Sequence, residues 1–434
     1  MNFQKICVLG LGYIGLPTAS TFATHGLRVI GVDVNPRVVN TLQNGEIHIH
    51  EPGLRTIVEA AVKSGNLTVS PRPEEADAFL IAVPTPFYEN QYSEYEGRKY
   101  KLADMRAVTS AAEAIVPCLR TGNLVILEST SPPRTTVDVV APILERSGLR
   151  AGTDFFLCYS PERVLPGQIL RELIENARVI GGVSPESAKA GHDLYAIFVK
   201  GNIIETDATT AEMVKLMENT TRDVNIAIAN EFSRLAEKFG VDVWEAIRLA
   251  NLHPRINILN PGPGVGGHCI SVDPWFFVEA APDLTPLIYH ARRVNDEQPH
   301  YVIEKVKQAI GEISGKKIAA LGLAYKADVD DLRESPATEV VHRLQDAGAA
   351  VKVWEPFKPD ANIKGIDMAP GMDQALAEAD LILLLVKHTE FLALQPEDIA
   401  AKTKARLAVD CVNGWNEAQW KNAGFRLFRL GVNK

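Results

Sequence analysis

Near the N-terminus, Gly10-Leu11-Gly12-Tyr13-Ile14-Gly15 stands between a short apolar run and a helical one, and it restricts the fold more than any other stretch. Ile6 to Leu9 precedes it as a strand, Leu16 to His25 follows as a helix, and a second strand ends at Asp33. Gly10 permits the tight turn, Gly12 lets the backbone approach a pyrophosphate, and Gly15 allows helix and strand to pack closely. The helix N-terminus attracts the negative charge. Asp33, about 20 residues on, can accept from a ribose 2′-OH. It would also repel a 2′-phosphate, which favours NAD over NADP. A turn that merely needs small residues is the bland alternative; the strand–loop–helix context with the acid in place argues against it. No other signal for a flavin accompanies the loop.

Similar apolar runs recur: Arg28 to Val32, Ala78 to Val83, Leu124 to Leu127, Phe156 to Tyr159 and Val179 to Gly182. They are continuous rather than alternating and are separated by helical stretches, the pattern of a parallel sheet covered on both faces. From Ala208 to Phe239 a long helical stretch without Gly or Pro ends at Gly240. Strands return at Lys317 to Leu323, Ala350 to Trp354, Asp380 to Val386 and Arg406 to Val412, with a helix over Ser335 to Gly348. The expected fold class is α/β: two Rossmann-like, doubly wound parallel-sheet domains joined by a central helical region. The boundaries read 1–205, 206–312 and 313–434. A length of 434 residues suits such a division. Tyr88 to Lys101, polar and Tyr-rich, reads as a surface loop.

The formal net charge of −9 argues against nucleic acid as the main partner. No apolar run reaches the roughly 18–20 residues of a membrane span. The N-terminus runs directly into a strand, so a cytoplasmic location is expected. The five cysteines, Cys7, Cys118, Cys158, Cys269 and Cys411, are scattered without C-x-x-C pairs. This is neither a disulfide framework nor a metal pattern. Each is a buried filler or a reactive thiol.

Cys269 has the most telling surroundings, Pro261-Gly262-Pro263-Gly264-Val265-Gly266-Gly267-His268-Cys269-Ile270-Ser271-Val272-Asp273. Four glycines in six residues free the backbone to lie against a ligand, at an entropic cost that a mere linker does not require. The thiolate is the reactive form of cysteine. His268 can serve as a base for the thiol or as a ligand contact, and Asp273 can orient a proton or a water. The alternative is an inert buried thiol after a glycine-rich turn. Upstream, Lys215, Asn219 and Arg222 share one helix face at i, i+4, i+7. A lysine and an amide one turn apart can hold an oxyanion or relay a proton. A solvated helix face is the competing reading. His48 and His50 read as structural.

Taken together, these residues resemble the UDP-sugar 6-dehydrogenases, NAD-dependent four-electron oxidoreductases. The resemblance runs through Gly10-x-Gly12-x-x-Gly15, Val83-Pro84-Thr85-Pro86, Glu128-Ser129-Thr130 and Ser160-Pro161-Glu162-Arg163. It continues through Glu212-x-x-Lys215-x-x-x-Asn219, Gly266-Gly267-His268-Cys269-x-x-x-Asp273 and Lys326-x6-Arg333-Glu334-Ser335. Residues 161–167, 253–259 and 261–269 look most like the branch acting on UDP-N-acetyl-D-mannosamine for surface polysaccharides. Ile256 and Ser271 depart mildly from that branch. UDP-N-acetylglucosamine or UDP-glucose is the alternative sugar, and a catalytically silent nucleotide-sugar binding protein the alternative of another class.

The resemblance implies a covalent thiohemiacetal and then a thioester on Cys269. It implies that Lys215 and Asn219 stabilise oxyanions, that Asp273 assists through a water, and that Glu162 is a base or water-orienter. Tyr13, Ile14, Asp33, Thr85, Thr130 and the three glycines are implied to meet NAD, with Arg333. Arg163, Val164, Lys215, Asn219, Arg222, Arg255, Asn257, His268 and Lys326 are implied to meet the UDP-sugar. It further implies a homo-oligomer, at least a dimer, with a neighbouring subunit supplying Arg255.

Overall fold

The computed structural model describes residues 3–49, 51–267 and 269–433. The chain forms two compact units. One comprises the chain up to Glu218 together with Trp275–Leu284; the other comprises Asn219–Pro274 and the chain from Thr285 onward.

The first unit contains, in chain order, β1 (Lys5–Leu9), β2 (Arg28–Val32), β3 (Leu67–Ser70), β4 (Ala78–Ile81), β5 (Phe87–Tyr95), β6 (Arg98–Ala103), β7 (Leu124–Leu127), β8 (Phe156–Tyr159), β9 (Arg178–Gly182) and β10 (Ile203–Asp207). Eight of them form one sheet in the order β10-β9-β8-β7-β4-β1-β2-β3. Neighbours are parallel except β8 and β9. Successive side chains of a strand point to opposite faces. Thus Ile6, Val8, Leu80, Leu124 and Ile126 enter one core, and Cys7, Leu9, Phe79, Ile81, Val125 and Leu127 the other. Both faces are covered, which is why the runs are continuously apolar. Each large apolar side chain so buried contributes about 2 kcal/mol. The helix Gly15–Thr24 adds Leu16, Ala19, Phe22 and Ala23 to the first core.

Tyr88 to Lys101, expected as a loop, is instead the antiparallel hairpin β5–β6. Its turn places Glu96 and Gly97 at φ 49° and 76°, and positive φ at both central residues is the type I′ hairpin geometry. Lys99 Nζ lies 4.2 Å from the Tyr92 ring centroid. Most of β5 is exposed or half-exposed, so the apolar alternation that marks a strand in sequence is missing.

The second unit contains β11 (Lys317–Leu321), β12 (Ala350–Trp354), β13 (Asp367–Met368), β14 (Leu381–Leu384), β15 (Leu407–Asp410) and β16 (Arg426–Arg429). They form a parallel sheet in the order β13-β12-β11-β14-β15-β16. Ile318, Ala320, Leu381 and Leu383 face one core, and Ala319, Leu321, Ile382 and Leu384 the other. The helix Pro286–Ile310 supplies Val302, Ile303 and Val306 to the first of these.

The helix Ala208–Phe239 has 32 residues, a length of about 48 Å at 1.5 Å per residue. The division between the units falls inside it, after Glu218. Beyond that point a buried polar network joins it to Pro286–Ile310. Arg292 pairs with Asp223, and Asn295 donates to Asp223 at 2.8 Å and accepts from Asn230 at 2.9 Å. Burial pushes the Asp223 carboxyl up to about 6, against the pull of Arg292. Among the described residues, no helix is long and apolar enough to cross a membrane.

Candidate active site

The turns after β1, β4 and β7, neighbouring strands, gather at one edge of the first sheet. In open α/β sheets ligands bind outside this carboxyl edge. Gly10 has φ +92°, and a Cβ there would stand 2.5 Å from the Ala82 carbonyl oxygen. A Cβ on Gly15 would stand 1.8 Å from the Gly10 carbonyl oxygen. Gly12 differs: it is exposed, and no described atom lies within 4 Å of where its Cβ would be. The first turn of the following helix has no side-chain cap. Space over Gly12 and uncapped N–H groups fit a pyrophosphate. The half-buried Asp33 is fixed by the N–H of Leu11 at 3.0 Å and of Asn35 at 2.8 Å. Tyr13 and Ile14, half-buried, complete the loop. Thr85 and Thr130 come together, Thr85 Oγ1 donating to the Thr130 carbonyl at 2.6 Å. His48 is exposed, and His50 and His268 lie outside the described residues.

After β8 the chain turns through Ser160-Pro161-Glu162-Arg163. Glu162 is buried; one oxygen accepts from the Arg163 N–H at 2.7 Å and the other from Arg178 Nη2 at 2.7 Å. The Arg163 side chain grips Glu218 at 2.8 and 3.1 Å. Val164 packs on the core of its unit. The buried Glu51 holds the end of this loop, accepting from the N–H of Gly167 and of Ile169, each at 2.8 Å. Glu212, also buried, accepts from the backbone N–H of Arg134 and Thr136. It thereby ties the helix carrying Lys215 to the segment that follows Thr130.

Along that helix Lys215 is buried, Asn219 half-buried and Arg222 exposed. Asn219 Nδ2 donates to Asp273 Oδ2 at 2.5 Å. Asp273, buried at the head of helix Asp273–Ala280, also donates its backbone N–H to the Cys269 carbonyl at 2.8 Å. Cys269, half-exposed, is therefore coupled to Asn219 through one residue. The glycines before it are needed for contact. A Cβ on Gly266 would stand 2.5 Å from the Glu334 carbonyl oxygen, and one on Gly267 (φ +83°) 2.8 Å from the Tyr325 ring. Burial pushes the Cys7 thiol up to about 12 and lifts those of Cys118, Cys158 and Cys411, so little nucleophilic thiolate forms there at neutral pH.

Lys326, half-buried, sits in the turn after β11, and Arg333 pairs with Asp331 at 2.7 and 2.8 Å in the same unit. Arg255 and Asn257 are exposed, on a segment tied down by Asn225, which donates to the Asn257 carbonyl at 2.9 Å.

Three family models match in order. They are the NAD binding, central and UDP binding domains of the UDP-glucose/GDP-mannose dehydrogenase family, over residues 4–199, 209–297 and 319–417. The chain belongs to the UDP-glucose/GDP-mannose dehydrogenase family. A UDP-N-acetyl-D-mannosamine dehydrogenase of Methanocaldococcus jannaschii is 48% identical over 434 residues, covering 99% of this chain and 97% of that protein. An NDP-N-acetyl-D-galactosaminuronic acid dehydrogenase of Ralstonia solanacearum is 47% identical over 426 residues, covering 96% and 97%. The solved UDP-D-ManNAc dehydrogenase of Pyrococcus horikoshii superposes with a TM-score of 0.89 at 39% identity, covering 99% of this chain and 100% of that one. The cofactor of this family member is NAD, and the first unit carries the matched domain.

Three residues at these loops escape sequence reasoning. Arg178 stands at the start of β9, just before the apolar run Val179 to Gly182, and belongs to none of the motifs. Glu51 acts on backbone groups more than 110 residues away. His388 is buried, accepts from the Asp328 N–H at 2.9 Å and lies 3.1 Å from Glu355 Oε2. Glu355 in turn accepts from the N–H of Leu323 and Ala324, bracing the turn that carries Lys326. No local pattern in the sequence marks any of the three.

Proposed function

We propose that the chain oxidises UDP-N-acetyl-D-mannosamine at C6 to the uronate in four electrons, with Cys269 holding the sugar between the two oxidations. The observation that carries this is the Asn219–Asp273–Cys269 connection at the end of the glycine loop. The likeness to a UDP-N-acetyl-D-mannosamine dehydrogenase at 48% identity supports the choice of sugar. Two NAD molecules, bound in turn, would each accept one of the two hydrides that leave C6, and Gly10, Gly12, Tyr13, Ile14, Gly15, Asp33, Thr85 and Thr130 would hold each of them, with Arg333.

The thiolate of Cys269 adds to the aldehyde carbon, giving a thiohemiacetal. Its carbon still carries the hydrogen that the second oxidation removes, leaving a thioester. Covalent capture avoids release of the aldehyde. Lys215 and Asn219, one turn apart, stabilise the oxyanions. Asp273 fixes the Asn219 amide and assists through a water, and Glu162 orients the water that hydrolyses the thioester. Arg163, Val164, Arg222, Arg255, Asn257, His268 and Lys326 bind the UDP-sugar, the arginines matching pyrophosphate oxygens with their fork. The divisions 1–205, 206–312 and 313–434 belong to the same reading and are supported by the matched spans.

The functional form is a homo-oligomer. Ile228, Phe232, Leu235 and Phe239 are exposed at i, i+4, i+7, i+11 of one helix, an apolar stripe of the kind that a second copy covers. A monomer by light scattering at working concentration contradicts this. The location is the cytoplasm; recovery of the protein outside the cytoplasmic fraction contradicts that. The second reading is UDP-N-acetyl-galactosamine-type chemistry, favoured by the 47% identity to the Ralstonia protein. NAD reduction across UDP-N-acetyl-D-mannosamine, its gluco and galacto epimers and UDP-glucose decides. Turnover on another sugar, with none on the manno compound, overturns the assignment.

A further inference from the structure

Glu162 is held by a built cluster rather than by a single contact. Arg178, whose side chain is 5% exposed, donates to Glu162 Oε2 at 2.7 Å and to Ser160 Oγ at 3.0 Å. Its Nη1 lies 3.5 Å from Glu128 Oε1, and its guanidinium sits 4.2 Å from the centre of the Tyr195 ring. Tyr195 donates its hydroxyl to Glu128. The other Glu128 oxygen is buried with no hydrogen-bond partner among the described residues. Two buried carboxylates thus share one guanidinium.

A fold gains little from such an arrangement. Desolvating the charges is costly, and apolar residues of the same volume commonly serve stability as well or better. An arginine fork does offer planar, directional grip on a carboxylate. That grip leaves each Glu162 oxygen a lone pair for a water.

We propose that Arg178 is the positioning residue for Glu162, its fork braced by Glu128, Ser160 and Tyr195 so that the Glu162 carboxylate orients the water that hydrolyses the Cys269 thioester. This rests on the role given to Glu162 above. In that step the water oxygen bonds to the acyl carbon, and the C–S bond breaks with its electron pair on sulfur. One water proton ends on sulfur and the other is released from the new carboxyl group, leaving the uronate. The two oxidations come first and make no use of Glu162. Losing the fork therefore slows the last step and spares the earlier ones.

The test combines rapid mixing with NAD and UDP-N-acetyl-D-mannosamine, reading NADH, with intact-protein mass spectrometry of the quenched enzyme. Arg178→Lys keeps the charge and loses the fork, which guards against a variant that fails to fold; Arg178→Met removes both. Glu162→Gln is the control. The expected result for Arg178→Lys is a burst of two NADH per active site, then a steady rate roughly 10–100-fold below wild type. A larger fraction of enzyme than in wild type then carries the uronyl mass on Cys269. If Glu162→Gln accumulates this adduct and neither Arg178 variant does, the positioning role is overturned and the reading of Glu162 stands. If Glu162→Gln accumulates none, the reading of Glu162 fails and the proposal falls with it.

Discussion

Replacing Gly12 and Gly15 by alanine, one at a time, separates packing from ligand approach. At Gly15 the new Cβ would stand 1.8 Å from the Gly10 carbonyl oxygen and 3.3 Å from Ala82 Cβ. Backbone on backbone cannot rotate away, so the loop must shift by more than an ångström. Overpacking of this kind costs about 1–3 kcal/mol, and displacement of a binding loop by that distance costs on the order of 100-fold in function. At Gly12 the Cβ meets no described atom within 4 Å, and the residue is exposed. Gly12→Ala therefore leaves the melting temperature of the NAD-free protein unchanged, while NAD affinity falls by roughly 10-fold or more because the methyl occupies the ligand's path. Gly15→Ala loses both affinity and several degrees of melting temperature. Calorimetric titration with NAD and thermal unfolding of the NAD-free variants provide the readings. Wild-type NAD affinity in Gly12→Ala refutes the reasoning, because the pyrophosphate then does not pass over that residue.

Two further variants probe what holds the loops. Burial raises the Glu128 carboxyl from the usual 4.5 to about 7, so its share of stability is present below pH 4.5 and is lost as pH rises through 7. Glu128→Gln cannot ionise; its stability relative to wild type should rise by on the order of 3 kcal/mol between pH 4.5 and 8, from roughly 1.36 kcal/mol per pH unit. A difference in unfolding free energy that is flat across this window contradicts it. Glu51→Ala removes two acceptor bonds to backbone N–H groups, each worth about 1.5–3 kcal/mol when the acceptor is charged. Amide exchange at Gly167 and Ile169 should quicken and the KM for UDP-sugar rise; unchanged exchange at both amides shows that Glu51 does not anchor the loop.

Much of the fold is legible because apolar period and burial coincide. Ile6 to Leu9 and Leu124 to Leu127 are apolar at every position, and the structure buries both faces of each. The helix Ala208–Phe239 has the bounds that Gly240 and the absence of Gly and Pro imply. The hairpin β5–β6 was not legible, because exposed polar strands carry no period. The glycine loop of Cys269 pointed to close contacts, and Gly266 and Gly267 meet Tyr325 and Glu334 as such contacts. The supporting groups behind the loops were hidden. Arg178, Glu51 and His388 are single polar residues whose partners lie 16 to 118 positions away. Only folding brings those partners near, so no local pattern announces them.

In the proposed function one active cysteine carries one sugar through two oxidations. The direct measurement is the NADH formed per UDP-N-acetyl-D-mannosamine consumed, followed to completion in wild type and in Cys269→Ser. Two NADH per sugar with uronate as product, and failure of Cys269→Ser to complete that conversion, is the result expected. One NADH per sugar, or wild-type turnover in Cys269→Ser, contradicts the account.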